Sequence, residues 1–427
     1  MTGGSNTVAE AIAKVLGDDL PIAVETYDGG RIGPPDAPST LVIRSPDAIR
    51  RVVTAPGELG LGRAYVAGDL DVRGDIYAAL TALRERMSRA RLGPSQVAGL
   101  VRLVGVDGLR PLPVPPEEAR LHGRRHTRRR DARAVAHHYD VSDRFYELIL
   151  GPAMTYSCAV WASSNGSLEE AQAAKYDLIC RKLDLREGAR LLDVGCGWGG
   201  MAIHAARHHG VRAVGVTVSR RQFEWARKAV ADAGLADLVD IRLQDYRDVR
   251  DGPFDAISSI GMFEHVGLRN LATYFRRLYL LLAPTGRLLN HGISRPAAVA
   301  RRAPGRRLPA TPSRLGRRSF VDRYVFPDGE LHEVGAVVST MQATGFEVRH
   351  LESLREHYAR TLRAWVANLE ANWDQAVSEV GAPRARIWRL YMAGSALGFE
   401  AGRTQVHQVL GVRPDQGRSG MPPRPTW

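Results

Sequence analysis

From about residue 170 onward, short apolar runs alternate with longer stretches whose apolar residues recur every three or four positions. The short runs fit buried strands and the longer periodic stretches fit amphipathic helices. "ARLLDVG", "VRAVGVTVS", "VDIRLQD", "FDAISSIGMFEH" and "GRLLNHGIS" read as five successive strands with their exits. "GMAIHAARHH", "RRQFEWARKAVADAG" and "LATYFRRLYLLLAP" read as helices among them. With right-handed crossovers, this alternation predicts an α/β, doubly wound, mostly parallel sheet that binds its ligand at the carboxyl ends of the strands.

The rest of the chain is patterned differently. Residues 1–112 mix strand-like pieces such as "TLVIR" with glycine-rich turns and one helical stretch, "DIYAALTALRERMSRARL", and predict a smaller N-terminal accessory domain. Residues 113–132 combine prolines with an arginine cluster and predict an extended basic linker. Residues 133–412 form the main domain, and 413–427 are expected to be a disordered tail. Between Arg295 and Arg318 there are many arginines and prolines and no acid, the pattern of a mobile basic loop.

At 427 residues the chain can form two or three domains with a full core. Its formal net charge of +13 predicts attraction to polyanions, either nucleic acid or anionic lipid headgroups. Three cysteines without metal-ligand spacing predict neither a disulfide framework nor a metal site, and they fit a reducing cytosol. No apolar run approaches the roughly 20 residues that span a bilayer, so contact with lipid would be peripheral.

The turn Gly195-Cys196-Gly197-Trp198-Gly199-Gly200 suits either a dinucleotide or S-adenosylmethionine (SAM). Asp193 before it favours a cationic amino-acid cofactor over a diphosphate. The second strand ends "GVTVSRRQ", without the acid that holds a dinucleotide ribose, leaving Thr217, Ser219 and Gln222 for that role. Asp245 and Tyr246, after the third strand, offer an acid and an aromatic face for adenine. Glu264 and His291 stand at the adjacent exits of the fourth and fifth strands, where substrate is expected.

Together, "HHYD", "TYSCAVW", "EAQAAKYDLICRKL", "LLDVGCGWGG", "FDAISSIGMFEHVG", "RYVFPDGEL" and "LREHYARTL" resemble, in order, the blocks of the cyclopropane-fatty-acyl-phospholipid synthase family. Several are similar to its actinobacterial branch linked to 10-methylene and tuberculostearic fatty acids. The resemblance implies a Rossmann-like SAM-dependent methyltransferase fold and methylation of a double bond in a phospholipid acyl chain, with oleoyl the expected chain. It places Tyr139, Tyr156, Ser157, Gly195, Gly197, Thr217, Gln222 and Asp245 around SAM. It also implies a bound bicarbonate held by Cys158, Glu264, His291, Ile293 and Tyr358, with Cys158 and Ile293 contributing backbone groups and Glu264 orienting His291.

Attack by the alkene leaves a carbocation, which the faces of Tyr156, Phe263, Tyr324 and Trp365 would stabilise. Loss of a proton then gives either a cyclopropane or an exocyclic methylene, and no motif decides which. Glu147 departs from the family pattern and is a candidate second base, against the plain alternative of a solvent-facing helix residue. The resemblance further implies a homodimer, a cytoplasmic enzyme at the inner membrane face, and a separate reductase acting on any methylene product. A nucleic-acid methyltransferase is the rival reading, but "GMFEH" lacks the Asn/Asp-Pro-Pro-aromatic signature and no RNA-binding module is present. A non-catalytic lipid-binding relative is the second rival.

Overall fold

The computed structural model describes residues 8–17, 19–89, 99, 103–105, 107–119, 127–128, 130, 141–297 and 319–427. Tyr139, half of the basic linker and the Arg/Pro-rich segment 298–318 lie outside them. The chain forms two compact units.

The first unit takes residues 1–120 together with 311–327 and 373–397. Its four strands, β1 (Ala23–Thr26), β2 (Arg31–Ile32), β3 (Ser39–Ile43) and β4 (Leu70–Gly74), lie in the order β2-β1-β3-β4. Alternation along β3 buries Ser39, Leu41 and Ile43 on one face, the period-2 pattern of a half-buried strand. Arg63 forms a two-pronged bond with the buried Glu118 at 2.8 Å, and the Tyr324 hydroxyl donates to the same carboxylate at 3.2 Å. The accessory domain is therefore not the continuous stretch 1–112, because two later segments complete it. Tyr324, one of the aromatics expected around the carbocation, belongs to this unit as a partner of Glu118.

The second unit holds residues 121–310, 328–372 and 398–427. Its sheet contains β5 (Arg190–Val194), β6 (Arg212–Thr217), β7 (Val239–Leu243), β8 (Phe254–Ile260), β9 (Leu282–Ser294), β10 (Glu347–Ser353) and β11 (Gln405–Val412). The order is β10-β11-β9-β8-β5-β6-β7, and β11 alone among these strands runs antiparallel to its neighbours. The order reverses beside β5, whose two neighbours β6 and β8 are both parallel to it, so a crevice opens at its carboxyl end. Apolar side chains fill both faces. Leu191, Met201, Ala205 and Ile241 are buried on one, and Leu192, Ile257, Phe275 and Leu288 on the other.

The five strands and three helices read from periodicity are all present, with ends shifted by a few residues. The tail is ordered rather than disordered: Met421 and Trp427 pack against the sheet core, and Trp427 meets the His350 ring at 4.9 Å. Among the described residues, no helix is long and apolar enough to cross a membrane.

Candidate active site

At the carboxyl end of β5 the chain turns sharply, and Gly195 takes φ +76°, a region that L side chains rarely enter. A Cβ there would also press on Met262 Sδ at 3.1 Å. The turn opens into a pocket whose wall comes from successive strand exits: Asp193, Gly195 and Gly197 from β5, Thr217 and Gln222 from β6, Asp245 and Tyr246 from β7. Tyr156 and Ser157 complete it from the preceding segment. These expected cofactor residues line one pocket; Ser219 does not, because its hydroxyl caps the next helix by accepting the Gln222 N–H at 3.3 Å.

The polar groups are preorganised. The Thr217 hydroxyl donates to Gln222 Oε1 at 2.9 Å, which leaves the Gln222 amide N–H groups for a ligand. Asp193 is buried and accepts from Ser258 Oγ at 2.7 Å; burial lifts its carboxyl to about 6 against the pull of Ser258 and Lys175. Burial acts on Asp245 in the same direction, but hydrogen bonds from the Arg247 side chain and backbone outweigh it and hold that carboxyl below its ordinary value. A hydroxyl–carboxamide pair, a buried acid and an acid–aromatic exit fit a ribose, a cationic amino acid and an adenine.

Lys175 was given no role by the sequence. It is fully buried, lines the same pocket, donates to Ser157 Oγ at 3.0 Å and sits 3.6 Å from the centre of the Tyr176 ring. Burial draws its ammonium down to about 7, opposed by Cys158 and Asp193. Its charge also reaches His291. The only sequence signal was a lysine on the buried face of the helix Leu168–Leu183.

Two residues of the second constellation, Cys158 and His291, are within electrostatic reach of Lys175. Phe263 and Glu264 form a short turn after β8 that locks onto β9. The Phe263 ring occupies the space over Gly292, where a Cβ would fall 1.9 Å from the ring, so only glycine fits between His291 and Ile293. Glu264 Oε1 accepts the Ile293 N–H at 2.6 Å, while Oε2 is buried without a partner among the described residues. Burial lifts this carboxyl to about 7 against the Ile293 bond. The Ile293 N–H is thus committed to Glu264 instead of reaching a ligand directly.

His291 is oriented by Gln408 rather than by Glu264. The Lys182 ammonium can only donate, and it binds Gln408 Oε1 at 2.7 Å, so the Gln408 amide nitrogen faces His291 Nδ1 at 3.2 Å. Nδ1 therefore accepts, and the ring proton sits on Nε2, which is buried and unpartnered. Burial, reinforced by Lys175 and Lys182, holds the imidazole down at about 3, so it remains neutral and acts as a donor. Gln408 lies 117 residues from His291, which is why sequence reasoning did not find it.

Cys158 is buried, and burial pushes its thiol well above the ordinary range. It stays protonated, with Sγ donating to the Ala159 carbonyl at 3.2 Å. Thiolate chemistry is disfavoured. Cys158→Ser is expected to keep at least a tenth of wild-type turnover, and intact-protein mass spectrometry during turnover should show no adduct. Tyr358 stands on the helix Arg355–Ala371 with its ring edge-on to Trp365 at 6.0 Å. Trp365 in turn lies 5.3 Å from Tyr156, so three rings run from the Tyr358 position to the cofactor pocket.

Glu147 does not join this group. It is partly exposed on the helix Asp143–Leu150 and pairs with Arg144 at 2.6 Å. An exposed carboxylate held by an arginine is a poor buried base, so Glu147→Ala is expected to leave both turnover and product ratio within twofold of wild type, measured on extracted acyl esters.

Residues 126–409 match the family model for mycolic acid cyclopropane synthetase. The "Probable fatty acid methyltransferase Rv3720" of Mycobacterium tuberculosis (strain ATCC 25618 / H37Rv) is 47% identical, with 100% of each chain covered. The "Tuberculostearic acid methyltransferase UfaA1" of the same organism is 33% identical over 97% of this chain and 92% of its own. A crystal structure of mycolic acid cyclopropane synthase CmaA1 complexed with SAH and CTAB is 35% identical, covering 66% of this chain and 98% of that one, with a TM-score of 0.61. The chain accordingly belongs to the mycolic acid cyclopropane synthetase family and is a SAM-dependent methyltransferase that acts on fatty acyl chains.

Proposed function

We propose that the enzyme methylates the double bond of an unsaturated acyl chain, oleoyl in the first instance, within membrane phospholipid, and that a bicarbonate ion serves as the proton acceptor. The observation that carries this reading is the pair of buried, unpartnered atoms Glu264 Oε2 and His291 Nε2. One is an acceptor and the other a neutral donor, the complement of an anion that still bears one hydroxyl. A cavity for a purely apolar chain would not need them, since orphaned polar atoms cost about 1–3 kcal/mol each.

SAM supplies an electrophilic methyl group. The alkene electron pair forms the new carbon–carbon bond as the methyl–sulfur bond breaks toward sulfur, leaving a cation on the acyl chain. The π faces of Tyr156 and Trp365, with Phe263, are suited to stabilise that cation. His291 Nε2 and Glu264 Oε2 would hold the acceptor anion, which would supply the base for the proton lost from the cation.

The net charge of +13 supports docking at an anionic bilayer surface. Part of the basic linker is already neutralised, because Arg128 pairs with Asp248 and Arg130 with Asp328.

Expression in a host rich in oleoyl phospholipid, followed by proton NMR of the fatty acid esters, separates the two products, which are isomers and equal in mass. Exocyclic methylene signals give the 10-methylene product and upfield ring signals the cyclopropane. Esters unchanged by SAM-dependent turnover would overturn the proposal. A nucleic-acid substrate would instead place labelled methyl in RNA from the same lysate.

A further inference from the structure

Away from the pocket, the helices Leu168–Leu183 and Gly200–His209 pack side by side. They bring together three side chains that sequence spacing kept apart. The thiol of Cys180 and imidazole nitrogens of His204 and His209 all lie within 4.8 Å of one another. Among the described residues, Nε2 of His204 and Nε2 of His209 are both buried without a hydrogen-bond partner.

Two orphaned imidazole nitrogens facing a thiol are expensive unless something joins them. The Tyr176 and His208 rings flank His204 at 5.6 and 4.5 Å and fix its plane. Asp177, one turn before Cys180, stands 3.8 Å from His209 Nε2 and offers a fourth ligand. The His209 side chain is 21% exposed, so an ion has a route in.

The geometry points to a site for one divalent transition-metal ion of the zinc class, held by Cys180, His204 and His209 and completed by Asp177 or water. One thiolate and two imidazoles form a donor set suited to tetrahedral zinc. Ligand atoms around such an ion sit roughly 3.3–3.8 Å apart, so closure requires only small side-chain movements. On binding, the Cys180 thiol gives its proton to water and the sulfur becomes a metal thiolate. The ion would staple the two helices, one of which carries Lys175 and the other of which begins at the glycine turn.

The test uses the full-length protein, free of any histidine tag, titrated with cobalt(II) as an optical stand-in for zinc. One equivalent is expected to produce tetrahedral visible bands and a thiolate-to-cobalt charge-transfer band, both bleached by zinc. Cys180→Ser should abolish the charge-transfer band, and Cys180→Ser and His209→Ala should each weaken binding at least tenfold. Because His209 is partly exposed, its variant keeps the test valid if Cys180→Ser fails to fold, as judged by circular dichroism. Absence of saturable binding to the wild type, or unchanged spectra in folded variants, would overturn the proposal.

Discussion

Glu264→Gln is expected to lower turnover by roughly 10²–10⁴-fold, the usual contribution of a positioned proton-handling group, while SAM affinity stays within twofold. The isostere can keep the Ile293 N–H bond through its remaining oxygen, so the turn over Gly292 is preserved. What changes is Oε2, the atom left without a partner, which becomes an N–H₂ donor and can no longer accept the hydroxyl of the anion. Glu264 is not part of the cofactor pocket wall, which is why SAM binding should be spared. The pH profile supplies an independent readout. Because burial lifts the carboxyl to about 7, its ionisation supplies the ascending limb of a wild-type profile that peaks near neutrality, with loss of the Lys175 ammonium supplying the descending limb. His291, held at about 3, contributes no limb near neutrality. The variant should lose the ascending limb. Methyl transfer from labelled SAM into lipid measures the rate, and calorimetry measures SAM affinity. Full activity in the variant, or the same ascending limb, would remove Glu264 from the proton path.

Lys175→Met is expected to reduce kcat/KM by about 10–100-fold, the loss anticipated for one buried charge-assisted hydrogen bond, while thermal stability is retained or increased. Methionine approximates the length of lysine but cannot donate to Ser157 or place charge beside Asp193 and His291. Burying an ammonium is costly, so a neutral side chain of similar volume is tolerated or preferred by the fold. The two readouts therefore move in opposite directions. A lysine that served only packing would show a lower Tm, with activity falling in proportion. The ammonium form is lost as pH rises through about 7, which gives wild-type activity a descending limb that the variant lacks. Scanning calorimetry beside steady-state kinetics distinguishes these outcomes.

The parts of this molecule that sequence revealed are those whose physics is local. The glycine turn, the strand exits with Thr217, Asp245 and Glu264, and each strand or helix in the alternation from β5 to β9 are written in short local stretches. What escaped depends on distant partners. Gln408 sets the His291 proton from 117 residues away, and β11 enters the sheet between β9 and β10. The segments 311–327 and 373–397 join an N-terminal unit whose own pattern gave no sign that it was incomplete. Glu147 misled because an unusual carboxylate attracts attention in a linear reading, whereas its Arg144 pair is visible only on the folded helix. Cys180, His204 and His209 escaped for the same reason, since they come from separate helices.

The position of β11 also has a consequence for biosynthesis. Chains fold as they emerge from the ribosome, and the glycine turn, Asp193, Glu264 and His291 all emerge before Gln408 does. Until that late strand inserts beside β9, nothing fixes the proton on His291 Nε2. The residues that line the cofactor pocket, all between 128 and 270, thus leave the ribosome well before the one that orients His291.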